Sequence, residues 1–313
     1  MRKPDDCTLS KEQYENIRRE AKRALDDAGA MGVFPTPVSD IMLAAKVHEV
    51  HEDVLNESFV DKLRKEVGKV GSVLRKALSK VIGLFDARSR LVFIDRTLLA
   101  VKQTYIRLHE TAHGFLSWQK DMYAIVEDSK QNLDPDVADL FDREANVFAS
   151  EVLFQIDSFA EEANDRDFSI FTPVRMSKKY GASIYSSVRQ YVSKNPKVCT
   201  VIVLDPPVLE EGDGFRANLR RAISSPSFHE QYGDLQLPEF FTPSDKIGAM
   251  IPVGKRRASG KREISLEDRN GIAHECIAEA FTQGYQVFVL IVSVKALTST
   301  TFLFTNATTT SLS

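Results

Sequence analysis

Cysteine is scarce in this sequence: Cys7, Cys199 and Cys276 are the whole complement of 313 residues, and none belongs to a CxxC pair. That spacing excludes a zinc knuckle or a CxxC redox motif and fits a reducing, cytoplasmic setting. Long apolar runs are missing too. The longest, VFVLIVSV at 287–294, is far too short to span a bilayer, and the N-terminal MRKPDDCTLSKEQ has no signal-peptide core. A soluble intracellular protein with no membrane partner is therefore expected. Nor is there a large charge of one sign: the net charge of −3 gives no global reason to bind nucleic acid or an anionic surface. No internal repeat is found.

The chain does have 43% apolar residues over a length too great for one ordinary domain, so two packed units are expected. The texture changes after Lys194-Asn195-Pro196, which divides the chain into residues 1–195 and 196–313. In the first part, LSKEQYENIRREAKRALDDAGA reads as a helix stopped at Gly29, and residues 37–47 read as a second. The stretch 59–80 carries seven Lys/Arg against two acids, the pattern of a solvated basic face.

VIGLFDARSRLVFIDR at 81–96 reads as a hairpin, with Asp95 placed to cap a helix from about Thr97. Asp134-Pro135 starts another helix that runs to about Phe154, and 172–194 has a Gly-centred break with the outline of a helix-turn-helix. In the second part, VCTVIVL and YQVFVLIVSV read as strands, 266–282 as an amphipathic helix, and the terminal TSTTFLFTNATTTSLS as a fading strand. That is a mixed α/β unit.

Chemistry concentrates in YIRLHETAHGFLSW, 105–118. Zinc needs imidazoles converging on one point, and on a helix only positions three or four apart face the same way. His109 and His113 meet this condition. Glu110 sits one residue round the cylinder, placed to reach a metal-associated water and act as general base. Ile106, Leu108, Ala112 and Phe115 bury the helix, where an unpaired imidazole is costly. KVHEVHEDV at 46–54 serves as a control: His48 and His51 are three apart in an acidic stretch with no partner helix, and read as a loop or strand edge.

A third protein ligand must come from elsewhere. In FDREANVFASEVLF, 141–154, Phe141, Ala145, Phe148, Ala149 and Val152 form one apolar side, bordered by Asp142 and Asn146, with Glu144 and Glu151 towards the outer flank. Asp142 is the expected ligand and Glu144 the reserve. Asn146 is placed to orient a ligand or to bind substrate backbone.

HETAH preceded by LVFID and followed by REANVFASEVLF resembles the ImmA/IrrE family of metallopeptidases, over residues 30–195. The resemblance implies an α+β, zincin-like peptidase domain with a helical extension, followed by a mixed α/β C-terminal sensor or regulatory domain. It implies Zn2+ on His109 and His113, catalysis by Glu110, and a third ligand at Asp142, where the family has glutamate. It also implies a site-specific endopeptidase that cleaves a helix-turn-helix repressor in a DNA-damage, stress or anti-phage response. The family's LLMP ending is VLFQ here, at 152–155.

Substrate backbone would add to the edge of Leu91–Asp95, making Leu91 and Phe93 substrate-binding residues. Single-stranded DNA as an activator would need a cationic groove with stacking aromatics. Residues 62–80, Lys178/Lys179 with Arg189, and GKRRASGKR at 254–262 could supply charge, and Tyr180, Tyr185 and Tyr191 could stack. His229 and His274 stand apart from the metal motif and read as structural. The rival reading is a non-cleaving DNA-binding regulator that uses the 172–194 helices.

Overall fold

The computed structural model describes residues 8–50, 83–86, 90–94, 96–129, 133–210, 214–254 and 257–294. The basic stretch 59–80, Asp95 and the Thr/Ser tail lie outside the described residues. The chain divides into two compact units, Met1–Asn195 and Pro196–Ser313. Together they make an α+β protein.

The first unit opens with α1, Lys11–Asp27, started by a reciprocal cap in which Ser10 Oγ accepts from the Gln13 amide and Gln13 Oε1 from the Ser10 amide. Its buried stripe is Ile17, Ala21, Ala24 and Leu25. After α2, Val38–Ala44, come three short strands: β1 (His48–Glu49), β2 (Gly83–Asp86) and β3 (Leu91–Ile94). β3 is central, antiparallel to β2 as the hairpin reading expects, and parallel to β1.

The motif helix α3, Ala100–Phe115, begins later than expected, with Leu99 at the N-cap and no side-chain cap. It also stops inside YIRLHETAHGFLSW. Leu116 takes an extended conformation with ψ of 110°, and α4 runs from Ser117 to Ser129. Because Leu116 is fully buried, the break is held by packing.

The next helix, α5 (Pro135–Leu153), follows Asp134, whose side chain accepts from the Asp136 amide. All five residues of the expected apolar side are buried. The expected outer flank is not outer: Glu144 and Glu151 are 6% and 2% exposed. α5 lies between α1 and α3, so a helical wheel drawn with one buried side misplaces both carboxylates.

Among the described residues, three further helices follow: α6 (Ser158–Asn164), α7 (Phe171–Tyr180) and α8 (Ile184–Ser193). The bend between α7 and α8 is made by Gly181 at φ +64°, where a Cβ would also meet Pro35 at 3.1 Å. Glu162 on α6 fastens α7, accepting from Lys179 Nζ at 2.7 Å and the Tyr180 hydroxyl at 3.1 Å, and also takes Arg166 at 2.7 Å. Burial pushes the Glu162 carboxyl up, but those three donors outweigh it and hold the group below the usual carboxylate range.

An acid whose folded pKa is depressed stabilises the fold above its unfolded value, near ~4.3, and loses that contribution as pH falls through the folded value. Denaturant unfolding should therefore show Glu162→Gln less stable than wild type at pH 7, with the gap closing below about pH 4.

The second unit is an antiparallel sheet with strand order β5-β6-β4-β10-β9-β8, and β7 beside β6. The strands are β4 Cys199–Leu204, β5 Val208–Glu210, β6 Gly214–Ser224, β7 Phe240–Phe241, β8 Arg262–Glu267, β9 Ala273–Thr282 and β10 Val287–Ser293. One short helix, α9 (Pro226–Tyr232), is capped by Ser225. The amphipathic helix expected at 266–282 is instead the hairpin of β8 and β9, so the unit is an antiparallel sheet with little helix rather than mixed α/β.

The hairpin turn is made by Asn270-Gly271, with Asp268 accepting from the Asn270 and Ile272 amides. Cys276, Ala278 and Ala280 then alternate into a core shared with Val287, Val289 and Ile291. His274 bonds Asp268 at 2.9 Å, which gives it the structural role expected of it.

Candidate metal centre

α3 and α5 together bring the motif residues to one place. His109 and His113 stand one turn apart on α3, with ring centroids 5.0 Å apart and the rings nearly perpendicular. Across from them, α5 presents Asp142 and Asn146, one turn apart in their turn. His109 Nε2 lies 3.3 Å from Asp142 Oδ1, and His109 Nδ1 lies 3.0 Å from Asn146 Oδ1. Asn146 Nδ2 also reaches Asp142 Oδ2 at 3.4 Å, and the Tyr105 hydroxyl donates to Asn146 Oδ1 at 3.2 Å.

Asn146 thus has the ligand-orienting place, its amide engaged with the expected ligands. Glu144 points elsewhere, accepting from Trp118 Nε1 at 2.8 Å and Gln119 Nε2 at 2.6 Å. Of the two carboxylates left open by sequence, only Asp142 faces an imidazole.

Burial governs the charges. His113 is pushed down to about 3, first by desolvation and then by the charge of His109, so it is neutral at any working pH. For His109 burial works in the same direction, but the Asp142 hydrogen bond and the Glu110 charge outweigh it and raise the group. Glu110 is raised by desolvation, with His109 opposing and Asp142 adding. Glu110 is thus a buried carboxyl of raised pKa beside the His109 imidazole.

The chemistry of this donor set, two imidazole nitrogens and one carboxylate, is of the kind that zinc takes. Among the described residues no group of three or more His, Cys, Asp or Glu side chains is drawn together closely enough to hold a metal ion.

Neither known protein families nor curated proteins yield a match to the sequence. Among solved structures, a Mycobacterium tuberculosis transcriptional regulator is similar at 11% identity, covering 93% of this chain and 94% of that one, with a TM-score of 0.49.

The expected substrate edge is occupied at its start. β3 is bonded on both sides over Leu91–Val92, with the amides of His48 and Val50 donating to the carbonyls of Arg90 and Val92. Leu91 therefore lies in a central strand with no free edge, and the side chain of Phe93 lies outside the described residues. The same strand explains the control. Glu49 accepts from Arg107 Nε and Nη2 at 2.7 and 3.0 Å, so this stretch does have a partner helix, and it ties β1 to α3. His51 lies outside the described residues.

The proposed stacking surface is also reduced. Tyr180 and Tyr191 are 1% and 3% exposed and cannot take a base on their faces. Lys179 is engaged by Glu162 and sits over the Phe34 ring. Lys255 and Arg256 lie outside the described residues. On α8, Tyr185, Ser186 and Arg189 are half-buried and no residue is fully exposed.

Sequence reasoning missed Trp118, Gln119 and Tyr123, all on α4. Tyr123 meets His113 edge to face at 5.6 Å, and burial and then the Glu110 and Asp142 charges raise its phenol above the usual range. The signal available was the chain's one tryptophan and a glutamine directly after the motif. Nothing in the periodicity shows that α4 folds back onto the histidines.

Proposed function

We propose that the first unit is a zinc-dependent, site-specific endopeptidase. His109, His113 and Asp142 would hold the metal, and Glu110 is the general base. The observation that carries this reading is the contact of His109 with Asp142 from a separate helix at 3.3 Å, with the His113 ring 5.0 Å from that of His109 and Glu110 buried on the same helix. Zinc, when bound, lowers the pKa of a water and polarises a peptide carbonyl.

The chain's own part is to place and move protons. Glu110 takes the proton of the attacking water and returns it to the leaving amine. Asn146 holds His109 from its Nδ1 side, and Tyr105 holds Asn146. The resemblance to ImmA/IrrE peptidases supports a helix-turn-helix repressor as the substrate class.

Purified protein should take up one zinc per chain in a calorimetric titration. Where the neighbouring gene encodes a small helix-turn-helix protein, the chain should also cut that protein at one position, with single-stranded DNA present or absent as the two arms. Uptake of no zinc, or zinc without cleavage in either arm, overturns the reading.

A further inference from the structure

Gln119 is completely buried, and every polar atom of its side chain is engaged. Its Nε2 donates to the Phe141 carbonyl at 3.2 Å and to Glu144 Oε2 at 2.6 Å. Both partners only accept, so the amide cannot be turned over without setting an oxygen against two oxygens. Its Oε1 therefore has to face His113 Nδ1, at 2.7 Å. An amide oxygen accepts only, so the proton on the His113 ring belongs on Nδ1 and the lone pair on Nε2.

Glu144 makes the arrangement stronger. Its Oε2 collects two donors, Trp118 Nε1 and Gln119 Nε2, in a setting where the residue is 6% exposed. A carboxylate behind an amide polarises it, and a polarised oxygen pulls harder on the imidazole proton in front. The order Glu144, Gln119, His113 runs from α5 through α4 to α3. It closes around the break at Leu116, which brings Gln119 within reach of a histidine only six residues before it.

We propose that Gln119 and Glu144 are positioning residues for the metal centre: Glu144 anchors the Gln119 amide, whose oxygen fixes the His113 tautomer that presents Nε2 to a cation. The assignment rests on the metal reading above, but its first consequence is visible without metal. In the metal-free protein, long-range proton–nitrogen NMR correlations should show His113 protonated on Nδ1.

Gln119→Met keeps the length of the side chain and removes the acceptor. It should let His113 populate the Nε2-protonated tautomer and weaken zinc binding by about 10- to 100-fold in competition with a fluorescent chelator. Glu144→Gln leaves the Phe141 carbonyl to orient the amide. It should keep the tautomer and weaken zinc by a smaller factor, so the two variants separate geometry from charge. A folded Gln119→Met protein with His113 still on Nδ1 alone, or with wild-type zinc affinity, overturns the proposal. So does a wild-type His113 protonated on Nε2. Wild type that binds no zinc sinks the peptidase reading and the metal role of both residues, while the tautomer comparison still decides whether Gln119 fixes the His113 ring.

Discussion

Glu110→Gln should lower cleavage of the repressor by at least about 10³-fold while leaving zinc uptake unchanged, because glutamine has nearly the same shape and cannot accept the water's proton. The variant should also be no less stable than wild type. Glu110 is 9% exposed, and burial raises its carboxyl above the ordinary range. An acid raised in the folded state makes folding less favourable as pH climbs through that value, so a neutral amide there removes a cost near neutrality. The expected result is thus an inactive protein with an unchanged or higher denaturation midpoint and one zinc per chain. Loss of zinc with activity would make Glu110 a ligand, and retained cleavage would place the base elsewhere.

The motif was legible because its meaning is local. Two histidines one turn apart and a glutamate between them have their mutual placement fixed by helix geometry alone. Asp142 was legible through one further step, the assumption that a carboxylate at the margin of an apolar stripe needs a partner. Glu144 shows where that step fails. The wheel assigned it to the outside because it assumed a single buried side, whereas α5 has α1 on one flank and the α3–α4 corner on another. A carboxylate can be buried there because Trp118 and Gln119 donate to it, and both arrive only through the break at Leu116.

The second unit was misread at one place for a similar reason. ISLEDRNGIAHECIAEAFT has helix-forming alanines and glutamates, yet Asn270-Gly271 is a hairpin signal and was passed over. Pairing with β10 across Cys276 to Thr282 then decides the outcome, since strand preference follows packing against neighbours more than composition. The hairpin at β2 and β3 was readable, but the arrival of β1 on the far side of β3 was not. Parallel pairing between His48 and Leu91 leaves no mark in either stretch alone, and it occupies the Leu91–Val92 part of the edge that substrate was expected to use.

Glu151, the other misplaced carboxylate of α5, carries the largest stability effect. It is 2% exposed, and Oε1 accepts from the Tyr14 hydroxyl at 2.5 Å and from Lys194 Nζ at 2.7 Å. Oε2 has Arg18 at 3.6 Å, beyond hydrogen-bond range. The cluster ties α1, α5 and the C-terminal end of α8 through one charge. Removing one partner of a buried ion pair costs roughly 3–5 kcal/mol, because the other is left uncompensated. Lys194 retains 21% exposure, so Glu151→Ala should fall near the lower end, about 3 kcal/mol. In urea this appears as a lower midpoint with an unchanged slope. Glu151→Leu with Lys194→Met removes both charges and should recover most of the loss, since apolar replacements of a buried pair are often neutral. A double variant as unstable as the single one would mean that the hydrogen bond from Tyr14, and not the uncompensated lysine, sets the cost.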